Sequence, residues 1–324
     1  MMRIMGRPRA LVSVVLGCLL LAGCGSGPSQ TRAAILIGDH EITVDQVQQV
    51  IDRAVTQEPA AQQLAQQHKL DLLGRAIVGQ LVVHEMITRA AQREGLRADP
   101  ALVAQAVNAL SQPSPTSGID PAVLAGDIAL RARDHTEAAT DYVLERALGE
   151  KYFDKLSVDF DYTTVSTDDN GPRREQAEAK AKQFAASPNA ATTLVRADAG
   201  AGMDAELGTT LPALQSPMFA GSVLFGVPAG TVVSFEADPS QSVWLVAVIR
   251  KRDLNASPAV DQAQQATAGQ LASVGIRLLQ QDVERSGVKI NPRYGVWDPV
   301  AMDVAPSAAE VSGFVLPVEG YVQP

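Results

Sequence analysis

Cysteine is nearly absent from this chain, and the two that occur, Cys18 and Cys24, precede everything that reads as folded. A disulfide framework and thiolate metal sites are therefore excluded from the body of the protein, which must stand on its apolar core. Aromatic residues are scarce, and histidine occurs four times, never after His135. Basic residues are outnumbered, 27 against 36 acids, for a net charge of −9, so a nucleic-acid partner, which needs a basic surface, is not expected. Nucleotide signatures are missing too. There is no G-x-x-x-x-G-K loop, and Gly200-Ala201-Gly202 has Ala205 where a dinucleotide fingerprint needs its third glycine. His84-Glu85 opens like the zinc-protease pattern H-E-x-x-H, but Thr88 stands where the second histidine belongs. His40, His68 and His135 have no metal spacing, and Asp168-Asp169 reads as a solvated turn. No cofactor and no metal is expected.

What is present begins at the N-terminus. Met1 to Ala10 carries Arg3, Arg7 and Arg9 and no acid, and Leu11 to Ala22 is an apolar run, too short for the roughly 20 residues of a membrane span but right for a secretory leader. The run closes on Leu21-Ala22-Gly23-Cys24, which resembles a bacterial lipobox. That resemblance implies cleavage before Cys24 and acylation of its thiol, the only position expected to be lipidated. At about 0.8 kcal/mol per buried CH₂, two or three acyl chains anchor stably where one does not. Loss of the leader removes three arginines and no acid, taking the net charge from −9 to −12. The surface is then repelled by anionic lipid, and the anchor alone holds the protein to the extracytoplasmic face of a cell membrane.

Beyond the leader (1–23) and a Gly/Ser/Pro tether (24–32), Ala33 to Ile37 reads as a strand, Gly38-Asp39-His40 as a turn, and Thr43 with Gln46 as a capping box opening a helix to about Val55. Leu70, Leu73, Ile77, Leu81, His84 and Ile87 recur at helical spacing up to Gly95. Asp99-Pro100 and Asp120-Pro121 are paired start signals. They predict a helix to about Leu110 and helical structure to about Leu156, with a break near Thr136. The period changes at Ser157. A strand (Val158 to Ser166), a helix (Arg173 to Ala186), a Gly/Ala/Asp-rich loop (Ala197 to Thr210), a short helix near Phe219 to Leu224 and two strands (Thr231 to Phe235, Ser242 to Ile249) make an α+β unit. Helical pattern returns at Ser257-Pro258 and ends at Gly287, before a short strand Val288 to Ile290. Val300 to Pro324 reads as a loose tail. The predicted organisation is α+β. A mainly helical domain (33–156 plus 256–299), closed by pairing of its first and last strands, carries an inserted unit (157–255), followed by the tail (300–324).

The order of these elements resembles the extracytoplasmic foldases of the SurA and PrsA type. The first strand, turn and capped helix, Ala34-Ile35-Leu36-Ile37-Gly38-Asp39-His40-Glu41-Ile42-Thr43, and the closing Val288-Lys289-Ile290-Asn291-Pro292-Arg293-Tyr294-Gly295 are similar to the ends of a SurA-type chaperone domain. The insert resembles a parvulin-type prolyl isomerase at Phe225-Gly226-Val227-Pro228-Ala229-Gly230-Thr231-Val232 and at Trp244-Leu245-Val246-Ala247-Val248-Ile249-Arg250-Lys251-Arg252. Parvulins carry two pocket histidines. Here Tyr162 and Trp244 fall at those positions, so with Phe219 they would form a degenerate pocket and no catalytic residue is assigned. The resemblance implies a chaperone that binds incompletely folded exported proteins, with Leu73, Ile77, Leu81 and Met86 as candidate client-binding residues or, on the plainer reading, core. Two alternatives stand beside it: an active peptidyl-prolyl cis-trans isomerase, and a lipoprotein dedicated to one envelope partner.

Overall fold

The computed structural model describes residues 32–112, 118–166, 173–257 and 264–322. The leader, Cys24 and Asp168-Asp169 lie outside the described residues. Strand β1 (Ala33–Ile37) turns at Gly38, whose φ of 63° suits glycine, into antiparallel β2 (His40–Thr43). Thr43 then opens α1 (Val44–Gln57) through the expected capping box: the Gln46 backbone N–H donates to Thr43 Oγ1 at 3.2 Å, and the Thr43 N–H donates to Gln46 Oε1 at 2.7 Å. Helix α2 (Pro59–Gln66) precedes α3 (Leu70–Glu94), which stops at Gly95 in the left-handed region.

Helices α4 (Pro100–Leu110) and α5 (Pro121–Ala132) start as their Asp-Pro pairs dictate, with Asp99 and Asp120 each accepting a backbone N–H two residues on at 2.8 Å. The break expected near Thr136 falls at Arg133-Asp134, and Asp134 caps α6 (His135–Phe153).

The α+β unit runs β3 (Ser157–Val165), α7 (Arg173–Ala185), α8 (Ala190–Gly200), β4 (Ala205–Pro212), the single turn α9 (Pro217–Ala220), β5 (Thr231–Asp238) and β6 (Val243–Asp253). After it come α10 (Ala268–Leu278), α11 (Gln280–Ser286), β7 (Lys289–Ile290), β8 (Val296–Asp298), β9 (Asp303–Ala305) and β10 (Gly313–Pro317). The fold class is α+β, as expected.

Three expectations need correction. The stretch 197–210 is the end of α8 followed by strand β4, which pairs with β3. Its small residues suggested a loop, but an edge strand needs only backbone partners and one covered face. Helix α10 begins at Ala268, capped by Thr267 with Gln270, and 264–267 before it are not helical, while the start expected at Pro258 lies in 258–263, outside the described residues. Finally, residues 300–324 do not form a loose tail: β9 pairs with β8, and β10 adds to β5 as the edge of the five-stranded antiparallel sheet β10-β5-β6-β3-β4. Val315 and Phe314 there find cores on both faces of that sheet, a gain no local period advertises.

The first strand finds the partner it needed, since β7 pairs antiparallel with β1, Ile35 opposite Ile290. One apolar core lies among β1, α1, α2, α3, α5, α6, α11 and the β8–β9 turn. The large sheet has a core on each face, one under α7 and α8, the other against α9, Val274 of α10 and Val300. Arg277 ties the parts together. Fully enclosed, it donates from Nε to the Gly221 carbonyl (3.0 Å) and from its two terminal nitrogens to Gln280 Oε1 and the Val300 carbonyl (2.8 Å each).

Candidate functional site

Three of the four residues first considered for client binding are core. Leu73 and Ile77 are fully buried and Met86 nearly so, while Leu81 packs partly buried against the same cluster. Helical spacing placed them on one face of α3, and the neighbouring helices cover that face, so they offer no surface to a client. Apolar side chains left only half-buried lie elsewhere, on α4, where Leu102, Val103, Val107 and Leu110 are neither enclosed nor fully exposed. Of the residues of α4, only Gln105 and Asn108 are polar, yet none of its side chains is buried. This helix packs on α6 and forms one wall of a crevice of about 610 Å³, within the range of roughly 300–1,000 Å³ typical of ligand clefts.

The walls of the crevice are small and apolar. Helix α3 contributes Ala76, Gly79 and Val83, α4 contributes Ala106, Ala109 and Leu110, α5 contributes Gly126 and Leu130, and α6 contributes Ala138, Ala139 and Tyr142. Ile276 of α10 and the Ala301-Met302-Asp303 turn close the rim. That turn is held by Asp298, buried, whose Oδ1 accepts the backbone N–H groups of Val300 (2.9 Å) and Ala301 (3.1 Å) and whose Oδ2 accepts that of Ser312 (2.5 Å). Gly79 leaves room for the Asp303 carboxylate, which a Cβ there would displace.

The polar groups in the crevice are Gln80, Arg133, Asp141, Glu145 and Asp303. Arg133, deeply buried, donates to Asp141 Oδ2 at 2.5 Å and Glu137 Oε1 at 2.6 Å, while His84 Nδ1 lies 2.9 Å from both oxygens of Asp141. The hydrogen bond to Asp141 raises the His84 pKa above its ordinary value, against the opposing effect of burial. His84, Glu137 and Asp141 bring ligand atoms within 4.8 Å of one another, a set a cation would use, but the Arg133 guanidinium already supplies the positive charge between the two carboxylates. Glu145, by contrast, has neither hydrogen bond nor ion pair among the described residues. Burial, and then the charge of Asp141, push its pKa up to about 7, with Arg133 opposing. Burial likewise raises Asp303.

Glu145 is the residue the linear reading missed. Its signal is there: Ala138, Tyr142, Glu145 and Gly149 follow helical spacing, which sets one acid in an otherwise apolar stripe of α6.

The supposed parvulin pocket does not assemble as drawn. On β3 Tyr162 stands opposite Ala247 of β6, whereas Trp244 stands opposite Val165. An odd offset along a strand reverses the face. Tyr162 and Phe219 therefore share one face with Phe160, Leu245 and Ile249, while Trp244 lies in the core of the other, beside Phe314 with the Arg174 guanidinium over its ring. Burial, and the hydrogen bond donated to Asp204 (3.1 Å), raise the Tyr162 pKa to about 12.

Among known proteins, residues 1–118 match the family model described as SurA-like N-terminal domain. No curated protein and no solved structure matches the chain.

Proposed function

We propose, from the match of residues 1–118 to the family model described as SurA-like N-terminal domain, that the protein is a membrane-anchored extracytoplasmic chaperone of the foldase type. It holds incompletely folded exported proteins in the crevice between α3, α4, α5 and α6, and it lacks efficient prolyl isomerase activity. The observation that carries this reading is α4, an apolar helix with no buried side chain facing a cleft of about 610 Å³. A soluble protein exposes such a surface when something is to be laid on it. Anchoring rests on the lipobox at Cys24. The reading of inefficient isomerase chemistry is supported by the Tyr162 face, where the neighbours on β3 and β6 are the apolar Phe160, Leu245, Ala247 and Ile249 and the acids nearby, Asp204 and Glu206, lie beside the Tyr162 hydroxyl, a set different from the two histidines of a parvulin pocket.

The test is suppression of aggregation of an unfolded model protein by the soluble form starting at Gly25, with a protease-coupled proline isomerisation assay on the same preparation. Suppression without isomerisation is expected. Substituting both Ala106→Asp and Ala109→Asp, on the open wall of α4, should abolish suppression and leave the melting temperature unchanged. If the doubly substituted protein still suppresses aggregation, the crevice is not the client site. Isomerisation that vanishes on changing Tyr162 would establish the enzyme instead, and a single stoichiometric crosslinked partner in cells would favour a dedicated envelope role.

A further inference from the structure

Among the described residues, two carboxylates of the crevice, Glu145 and Asp303, have no counter-charge, and Glu145 has no hydrogen-bond donor either. Glu145 is 9% exposed, lines the cavity, and neither accepts a hydrogen bond nor lies within ion-pair distance of any cation among the described residues. Its neighbour Asp141, one turn earlier on α6, is satisfied by Arg133 and His84, and Arg133 is divided between Asp141 and Glu137. Asp303, across the rim, accepts only its neighbour's N–H, that of Val304, at 2.8 Å. A single guanidinium, that of Arg133, thus serves Asp141 and acts on Glu145 inside walls of alanine, leucine and valine, with Asp303 on the rim of the same crevice. An ionised carboxylate held this way is costly unless something brings it a partner.

We infer that the crevice selects client segments in which a lysine or arginine is flanked by small aliphatic residues, with the cationic head meeting Glu145 and the aliphatic stem lying along Ala138, Ala139 and Tyr142. The fit is chemical at both ends of such a side chain: a methylene stem covers apolar wall while its head seeks a carboxylate, and Tyr142, 38% exposed in the same wall, offers a ring face to a cation. Burial raises the Glu145 pKa to about 7, so the group is charged above neutrality and a cation beside it would favour that charge, and the excess of acid over the whole chain favours the approach of basic segments. The inference rests on the crevice being the client site and names what it prefers.

Two fluorescent nonapeptides, identical in their alanine, valine and leucine residues but with lysine or norleucine at the centre, would be titrated into the soluble protein at pH 8 and followed by anisotropy. The lysine peptide is expected to bind about tenfold tighter, the scale of one charge-assisted hydrogen bond. Glu145→Gln, which keeps the shape and removes the charge, should erase that preference and leave the norleucine peptide's affinity unchanged. Equal binding of the two peptides to the unmodified protein overturns the inference and leaves the crevice standing. A preference that survives Glu145→Gln but falls with Asp303→Asn also overturns it, by assigning the cation to the other rim. Binding of neither peptide removes the client-site reading itself.

Discussion

Glu145 and His84 both hold a proton more tightly in the folded chain than in an unfolded one, for opposite reasons: Glu145 because burial disfavours its charge, His84 because Asp141 favours its charge. The sign is the same for both. A raised folded-state pKa gives stability that is full below the unfolded value and lost as pH rises through the folded one. For Glu145 that window runs from its ordinary 4.5 to about 7, and for His84 it begins at 6.5. The protein is therefore expected to be less stable at pH 8 than at pH 5. The groups facing Glu145 are Asp141 and Arg133, with Asp303 across the cavity, and none of them neutralises it. Glu145→Gln should leave stability at pH 5 nearly unchanged and raise it at pH 8 by up to about 3 kcal/mol, measured by urea melts at both pH values. Equal melts of the two proteins at pH 8 would mean that the carboxylate is solvated.

The crevice depends on how closely its helices approach. Helices α6 and α10 cross at two glycines: a Cβ on Gly149 would collide with the Leu271 carbonyl oxygen, and one on Gly275 with that of Glu145. Gly275→Ala must push the helices apart at the residue that carries the site, and is expected to destabilise the protein by about 1–3 kcal/mol and to weaken peptide binding. Gly269→Ala, on the same helix with open space beside it, should do neither. Helix starts were legible because a cap is a local event: Thr43–Gln46, Asp99-Pro100 and Asp120-Pro121 each satisfy backbone donors within a few residues. Strand β10 was not legible, because Gly313–Pro317 is ordered by backbone bonds to β5, about eighty residues away. Ending the chain at Ser312 would strip those bonds from β5 and uncover Val232 and Val233 beneath. Lower solubility and a melting temperature reduced by several degrees are expected of that truncation in a thermal scan.

The two tryptophans report on different parts of the molecule, Trp244 in the core under α7 and Trp297 against the helical core. Since Arg277 bonds to Gly221 before β5, to Gln280 of α11 and to Val300 beyond β8, those parts should unfold together. Single-tryptophan proteins carrying Trp244→Phe or Trp297→Phe are expected to show one shared denaturant midpoint. Arg277→Met, which leaves buried carbonyls without donors, should cost about 3 kcal/mol and split the two midpoints. If the midpoints already differ in the parent proteins, the two parts fold independently and Arg277 is not their tie.

By itself the sequence determined what short-range physics determines. It set the helix starts at Val44, Pro100 and Pro121, the stops at Gly95 and Gly287, the change of period at Ser157, and the need of β1 for a distant partner, which β7 supplies. These follow from satisfying backbone groups and from the periodicity of apolar side chains, both readable within a dozen residues. The tertiary structure alone decided which apolar faces were covered. Leu73, Ile77 and Met86 went into the core while the helix α4, just as apolar, stayed open. It decided that Tyr162 and Trp244 look to opposite sides of one sheet, a matter of register across strands. It also left Glu145 without a partner among the described residues at the head of an apolar crevice, because the nearby Arg133 guanidinium was already bonded to Asp141 and Glu137. Burial and pairing are properties of what packs against a residue, and that is fixed only when distant segments meet.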